Sequence, residues 1–221
     1  MDIIKDNYQV DDGKIIYRRA NMYDNFIEIA ELIYKSDPYI YPYWFDDDIR
    51  SGVRALSEMV ATEGTIFYFQ NCYVAFDKES NQIVGVICAI DKTVDLNYNY
   101  DALQDIDEKY HYTIGSYIFD LIDQVEKDNF MSLLAICVNE SYRNRRIATS
   151  MLGNFIRQME AVGYKEFQTE VLLHNLRGKN LCHSLGFKEM NIFMGFDGNN
   201  PPQTEVVTFL RKENYSLADF R

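Results

Sequence analysis

Hydrophobic and polar positions along the chain fall into short blocks, some with the two-residue period of strands and others with the spacing of helices. The first strand is predicted at Ile15 to Arg18, and Asp24 follows at a position suited to cap a helix. Two amphipathic helices are predicted next, separated by residues 37–48, which we interpret as a loop. Their apolar faces consist of Phe26, Ile29, Ala30 and Ile33 in the first helix, and of Ile49, Val53, Leu56 and Val60 in the second.

β-Branched and aromatic residues dominate two later segments, residues 66–76 and 83–90. The residues between them, Asp77 to Gln82, are polar, which is typical of a hairpin turn. We therefore predict two antiparallel strands. Residues 92–130 begin polar and acidic and then place apolar side chains at helical spacing between Ile114 and Val125, which predicts a helical insertion before the next strand.

The clearest unit is a strand, a helix and a second strand in the latter half of the chain. Residues 132–138 form a continuous apolar run, as expected of a central strand that is covered on both faces. The helix after it has an apolar face made of Ile147, Met151, Leu152, Phe155, Ile156 and Met159. The remaining elements are a strand over 166–172, a short helix over 176–185, and two closing strands over 188–196 and 205–211.

This order of elements predicts a single α/β domain, more narrowly α+β, over residues 1–221. A chain of 221 residues with 47% hydrophobic content is long enough to bury one sizeable core, and no repeat or linker divides it. No segment approaches the roughly 18 apolar residues that a membrane span needs. Residues 1–6 lack the pattern of a secretion signal.

The net charge and the cysteines indicate which binding partners and which cellular compartment to expect. The net charge of −12 disfavours binding to nucleic acids and to anionic membranes, but it tolerates cationic substrates. The four cysteines are far apart in apolar surroundings, which predicts reduced thiols and a cytoplasmic protein. The three histidines show no metal-ligand spacing, so we predict no metal site.

The most informative segment is the turn from the 132–138 strand into the following helix. It contains Arg143, Arg145 and Arg146 in a chain that is acidic overall. The first N–H groups of a helix lack partners within it, and with the helix dipole they amount to about half a positive charge. We infer that this turn can hold a pyrophosphate. The alternative is a solvated basic helix start that only connects two elements.

Two motifs in this region resemble signatures of the GNAT superfamily, the acetyl-CoA-dependent N-acetyltransferases. The first, Arg143-Asn144-Arg145-Arg146-Ile147-Ala148, matches in part the family's Arg/Gln-x-x-Gly-x-Gly/Ala. The second, from Asn175 to Phe187, is similar to Asn-x-x-Ala-x-x-Leu-Tyr followed after three residues by Gly-Phe. The resemblance covers the core from Ile15 to Arg211 in element order, but only residues 132–187 carry motifs.

The resemblance implies a mixed, mostly antiparallel sheet of about seven strands, splayed at its central parallel pair, with helices on both faces. It also implies acetyl-CoA as cosubstrate, with the pantetheine arm in the gap between the strands ending at Val138 and Leu172. The amides of residues 144–149 would cradle the pyrophosphate, and Asn175 would reach the pantetheine. The implied cofactor-binding residues are Ile136, Cys137, Val138, Arg143, Asn144, Arg145, Arg146, Ile147, Ala148, Thr149, Asn175 and Gly178.

Two residues depart from the family's pattern. Arg146 stands where the family has glycine, so we expect Arg146 to keep an ordinary helical φ and to turn its side chain outward as an added cation. Cys182 stands where many relatives have the tyrosine that protonates the leaving thiolate. We expect Cys182 to match CoA in acidity, at a pKa of roughly 8.5. Simple packing of a small buried side chain is the alternative.

The implied reaction is direct attack of an amine on the thioester, which calls for a base. Glu170, on the strand beside the implied thioester, is the first candidate. His174, which can titrate near neutral pH, and Glu140 come after it. The amine can also lose its proton through a chain of waters, in which case these are exposed polar residues. The catalytic candidates are thus Glu170 as base and Cys182 as acid.

In the resembled fold the acceptor binds near residues 37–48 and the insertion 92–130. Both segments are aromatic and acidic here, which suits a cationic amine among the small-molecule or peptide acceptors that the family implies. The alternative is that the aromatic residues cover core and the acids are solvated. A homodimer is left open. The residues concerned are Tyr39, Tyr41, Tyr43, Trp44, Phe45, Asp46, Asp47 and Asp48.

Two functions of other classes also remain open. One is a CoA-binding regulator or partner-binding domain that lacks transfer activity, and the other is a globular interaction protein without a nucleotide site. Nucleotide-dependent dehydrogenases and P-loop kinases are excluded, because no Gly-x-Gly-x-x-Gly or Gly-x-x-x-x-Gly-Lys-Ser/Thr segment follows a predicted strand.

Overall fold

The computed structural model describes residues 9–91, 100–113, 130–195 and 204–212, which build one sheet with helices on both faces. The strands are β1 (Val10–Asp11), β2 (Ile15–Arg19), β3 (Cys72–Asp77), β4 (Gln82–Asp91), β5 (Phe130–Val138), β6 (Glu166–Leu172), β7 (Lys188–Gly195) and β8 (Thr204–Lys212). The α-helices are α1 (Phe26–Tyr34), α2 (Ile40–Trp44), α3 (Ile49–Ala61), α4 (Tyr100–Tyr110), α5 (Ile147–Ala161) and α6 (Leu176–Ser184). None of these helices is long and apolar enough to cross a bilayer.

The strands lie in the order β1-β2-β3-β4-β5-β6-β8-β7. Every neighbouring pair is antiparallel except β5 and β6, which run parallel near the centre of the sheet. The connection between the parallel strands is α5, as a parallel pair requires. The predicted fold class, a mixed and mostly antiparallel sheet with a central parallel pair, is therefore confirmed. Among the described residues the sheet has eight strands, of which β1 is only two residues long.

Two hydrophobic cores lie on opposite faces of this sheet. Side chains alternate along the strands, so that Val74 faces one core and its neighbour Tyr73 faces the other. The first core receives the apolar faces of α1 and α3, and the second receives the apolar face of α5. The predicted faces of these three helices are buried, with the exceptions of Ile49, which is exposed, and Phe26, which is half-buried.

The start of α1 differs from the prediction in its cap. Asn25 is the capping residue, and its side-chain oxygen accepts from the Ile27 amide at 3.1 Å. Asp24 instead binds the guanidinium of Arg18 through two contacts of 2.6 and 2.7 Å. A bidentate ion pair with arginine is stronger than a cap hydrogen bond, so Asp24 turns back toward β2.

Residues 37–48 also differ from the predicted loop, because they contain the short helix α2. Asp37 accepts from the amides of Tyr39 and Ile40 at 2.7 and 2.8 Å and so starts that helix. The buried aromatic residues of the segment belong to the first core; these are Tyr41, Trp44 and Phe45. Within residues 92–130, the structure describes α4 in the polar part, whereas the helix predicted at 114–125 lies outside the described residues.

Two buried helical glycines should respond in opposite ways to alanine. A Cβ on Gly52 would lie 2.8 Å from ring atoms of Phe45 and Tyr34, whereas one on Gly153 would meet nothing closer than 3.6 Å. Gly52→Ala is expected to lower the free energy of unfolding by about 1–3 kcal/mol, since packed rings must move. Gly153→Ala should raise it by about 0.5–1 kcal/mol, because alanine favours the helix. Urea denaturation measures both; equal stabilisation by the two variants would contradict this packing.

Candidate active site

The parallel strands β5 and β6 pair over only part of their length. Phe130 to Leu133 pair with Glu166 to Thr169, and no later residue of β5 pairs with β6 in the described sheet. The hydroxyl of Thr169 donates to the carbonyl of Leu133 at 3.2 Å, where the ladder stops. Beyond this point β5 stays with β4 and β6 stays with β8. A gap therefore opens between residues 134–138 and 170–172, which confirms the predicted splay.

The backbone of β5 faces this gap at alternate residues. Asn139 donates its amide to the Val84 carbonyl of β4 at 2.8 Å. Because successive residues of a strand point their peptide groups to opposite sides, those of Val138 and Ile136 point away from β4 and toward β6. The Val138 carbonyl accepts from Nε of Arg143 at 3.2 Å. A carbonyl oxygen has two lone pairs, so it can accept a second hydrogen bond.

The turn after β5 has an unusual backbone. Asn144 and Arg146 both adopt a left-handed conformation, with φ of 63° and 62°. The expectation of an ordinary helical φ at Arg146 is therefore wrong. The reason is geometric: the chain must reverse from β5 into α5 within a few residues, and Arg146 takes the left-handed conformation that glycine adopts most readily. A left-handed L-residue costs about 1–2 kcal/mol relative to a right-handed one.

The amides of residues 144–149 lie at the start of α5. Within the part of the chain that the structure describes, none of them has a hydrogen-bond acceptor, and Arg146, the cap of α5, makes no side-chain cap hydrogen bond. Where right-handed and left-handed residues alternate, successive backbone N–H groups point toward one place. Such a turn forms a concave anion-binding site. The positive end of the helix dipole lies at the same place. The arrangement suits a phosphate group.

The arginines of this turn add positive charge to it, and all three are exposed. Arg143 donates to Val138 and pairs with the Glu140 carboxylate at 3.1 Å. Arg145 donates from Nη2 to the Ser141 carbonyl at 2.9 Å. Two of the three guanidinium groups thus have defined positions next to the unpaired amides.

The second motif packs closely against the end of β6. Asn175 caps α6, and its side-chain oxygen accepts from the Gly178 amide at 3.0 Å. A Cβ on Gly178 would lie only 2.8 Å from Cγ1 of Val171 and 2.9 Å from Nδ2 of Asn175. The absence of a side chain at Gly178 therefore lets α6 approach β6 beside the gap.

Cys182 lies on the buried face of α6, in the second core, and is 2% exposed. Burial raises the pKa of its thiol to about 12, because the apolar surroundings disfavour the thiolate. The expectation that Cys182 matches CoA in acidity is therefore wrong. A thiol this weak is a poor proton donor to a CoA thiolate, whose conjugate acid has a pKa of roughly 8.5.

Glu170 lies just beyond Thr169, the last residue of β6 that pairs with β5. Its side chain is exposed and faces the side of the sheet that carries α1 and α3, because Phe167 and Val171 face the other core. His174, also exposed, follows the end of the strand, and the ring of Tyr39 meets its ring edge-on at 6.0 Å between centroids. The segment before α2 thus reaches the same end of the gap. Glu140 lies apart from this group, in the turn after β5.

The family comparison agrees with this geometry. The profile of the acetyltransferase (GNAT) family matches residues 38–187, which include α2, the β5–β6 gap and both motifs. The chain belongs to this family. The match ends at Phe187, the second residue of the Gly-Phe pair of the second motif.

Solved structures share the GNAT fold with this chain at low sequence identity. An acetyltransferase is 16% identical with a TM-score of 0.62, covering 90% of this chain and 99% of its own. An N-acetyltransferase from Staphylococcus aureus Mu50 is 15% identical with a TM-score of 0.58, covering 88% and 98%. A chain of the NatC complex bound to Gag peptide and CoA is 16% identical with a TM-score of 0.54, covering 90% and 98%. No curated protein sequence matches the chain.

Some features of this GNAT site were not found by reasoning from the sequence. The side chain of Arg143 turns back to the carbonyl of Val138, and Tyr39 meets His174 across more than a hundred residues of chain. Neither contact has a signal in residue spacing. The contact between Tyr39 and His174 depends on where the segment between α1 and α2 lies relative to the sheet.

The left-handed backbone at Arg146 can be tested by comparing glycine with alanine. Both Arg146→Gly and Arg146→Ala remove the guanidinium, but only glycine relieves the strain at φ of 62°. We expect the glycine variant to be more stable than the alanine variant by about 1 kcal/mol in urea denaturation. At Arg145, which is not among the positive-φ residues, the order should reverse. The same order at both positions would refute the assigned conformation.

Proposed function

We propose that this chain is an acetyl-CoA-dependent N-acyltransferase that moves an acetyl group to an amine by direct attack on the thioester. One observation carries the proposal: the open backbone of β5 at the gap is followed along the chain by the turn of residues 144–149, whose amides have no acceptor among the described residues. An acetyl donor that has both a polar arm and a diphosphate fits these features, because the arm can lie in the gap and the diphosphate can bind at the turn. Membership of the acetyltransferase family supports the same assignment, as does the CoA in the structurally similar NatC complex.

The two parts of the donor would contact different residues. The diphosphate would accept hydrogen bonds from the amides of residues 144–149, with the guanidinium groups of Arg143, Arg145 and Arg146 beside it. The pantetheine arm would lie along the backbone of residues 136–138, opposite the end of β6. Asn175 and Gly178 would border the arm, because α6 starts beside the gap.

Catalysis in this proposal depends mainly on placing the two reactants together. Holding an amine against a bound thioester can remove roughly 7–11 kcal/mol of barrier, and one general base adds about 10²- to 10⁴-fold. Glu170 is proposed as that base, since its exposed carboxylate lies beside the gap. Cys182 receives less support as the acid, because its pKa is too high for efficient proton donation. A CoA thiolate is stable enough to leave without an acid.

The acceptor is proposed to be a small-molecule or peptide amine, with a preference for cationic ones. Fewer aromatic rings of residues 37–48 can contact an acceptor than the sequence predicted, because three of them are buried in the core. Tyr39 and Tyr43 remain partly exposed, and the acids that follow are exposed. Negative charge near the acceptor side favours a cation through charge attraction. The exposed acids are Asp46, Asp47 and Asp48.

A second candidate function is a CoA-binding regulator or partner-binding domain without transfer activity. The observation that favours it is the burial of Cys182 at the position where relatives carry a proton donor. Loss of the proton donor would impair acetyl transfer, but the amides of the turn would still bind CoA. The two functions therefore share CoA binding and differ only in turnover.

Donor binding and turnover can be separated with two measurements on the wild-type chain. CoA at about 100 times its Kd should add roughly 2.7 kcal/mol of stability, seen as a rise in Tm. Acetyl-CoA with a panel of cationic, neutral and acidic amines should release free thiol, fastest with the cationic amines. Thiol release at background with every amine, despite a rise in Tm, would favour the regulator. No rise in Tm would refute both.

The proposed base can be tested with an acceptor from that panel. Glu170→Gln should lower kcat/KM for the amine by about 10²- to 10⁴-fold, since the amide cannot accept the proton. The rise in Tm with CoA should stay unchanged, because Glu170 lies outside the phosphate turn. Glu166→Gln is the matched control, because Glu166 lies on the same face of β6 but in the part that still pairs with β5. Equal losses in the two variants would argue against a catalytic role.

A further inference from the structure

The phosphate turn is attached to the β3–β4 hairpin through Tyr142. Its hydroxyl donates to Oδ2 of Asp77, the last residue of β3, at 2.6 Å. The hydroxyl of Ser80 donates to the same oxygen at 2.9 Å and lies 3.2 Å from the phenol oxygen. The Glu79 amide donates to the other oxygen at 3.0 Å. Asp77 is only 7% exposed, so these hydrogen bonds hold a nearly buried carboxylate in place.

The charges at this contact make it a strong one. The hydrogen bond from Tyr142 is the main cause that lowers the pKa of Asp77, so the carboxylate is ionised at neutral pH. The same hydrogen bond raises the pKa of Tyr142, which keeps the phenol protonated as a donor. Hydrogen bonds to an ionised acceptor are shorter and stronger than neutral ones. The Tyr142 ring is thus fixed relative to the sheet.

Arg145 rests on this ring. Its guanidinium carbon lies 5.0 Å from the ring centroid of Tyr142, within the range of a cation–π contact. One Nη2 hydrogen bond goes to the Ser141 carbonyl. A guanidinium has five N–H donors, so most of them remain for an anionic ligand.

The backbone on either side of Arg145 explains why such a support is needed. Asn144 and Arg146 are both left-handed, and residues in such conformations persist where the surrounding structure holds them. Arg145 is exposed, and an exposed long side chain without support loses much of its order to conformational entropy. The Tyr142 ring supplies such a support, because Asp77 holds the ring in place.

We propose that Tyr142, held by Asp77, is a positioning residue that sets the guanidinium of Arg145 for the diphosphate of the donor. This inference rests on the proposed function, because it assumes that CoA binds at the turn. Tyr142 itself does not contact the reacting atoms. Its effect is transmitted by the ring to Arg145.

The test is a double-mutant cycle on CoA affinity, measured by isothermal titration calorimetry. Tyr142→Phe keeps the ring but loses the hydroxyl, and it should weaken CoA binding by about three- to tenfold. Asp77→Asn should have a similar effect. In the Arg145→Ala background, Tyr142→Phe should change the affinity by less than about twofold, since the group it positions is gone. A role in overall stability alone predicts the same factor in both backgrounds, which would overturn the inference.

Tyr164 offers a matched control. Its hydroxyl donates to Oδ2 of Asp91 at 2.6 Å, the same contact at the far end of β4 from the hairpin. Tyr164→Phe should lower the Tm but leave the Kd for CoA unchanged. If the wild-type chain binds CoA and Tyr142→Phe binds it equally well, this inference fails and the proposed function stands. If the wild-type chain does not bind CoA, both fail.

Discussion

Backbone hydrogen bonding at the point where β5 and β6 separate is the constraint on which the site depends. The two strands stop pairing after Leu133 and Thr169, so the next peptide groups of β5 that face away from β4 have no strand on that side. A buried peptide group without a partner is destabilising by about 1–3 kcal/mol. The fold can keep such a gap only if side chains, water or a ligand supply partners, as Arg143 does for Val138. The same requirement makes the gap a place where a polar ligand arm can bind.

The turn after β5 obeys a related constraint. Its amides point outward from the start of α5, and a chain with a net charge of −12 places three arginines around them. The overall charge would repel a phosphate ligand at long range, but within a Debye length of about 10 Å the local charge decides. The strained backbone and the Tyr142–Asp77 contact belong to this local arrangement, since both determine where the positive groups lie.

The sequence predicted those elements whose periodicity reflects one buried face. Helix α5 and strand β6 were located closely, because each buries a regular set of apolar side chains. The conformation of Arg146 could not be predicted, since residue preference favours a right-handed φ while the turn between β5 and α5 imposes the opposite. Burial of Tyr41 and Trp44 also depends on packing against the sheet. The Tyr142–Asp77 contact joins residues 65 positions apart, beyond any local pattern.

The left-handed arginine has a consequence for how this position can change over generations. Arginine and glycine codons are separated by a single base, so the two residues are neighbours in mutational space. A glycine would suit the backbone, whereas arginine brings a cation at the expense of strain. Position 146 can therefore alternate between a relaxed turn and a more strongly charged one in one step, without passing through a residue that satisfies neither demand.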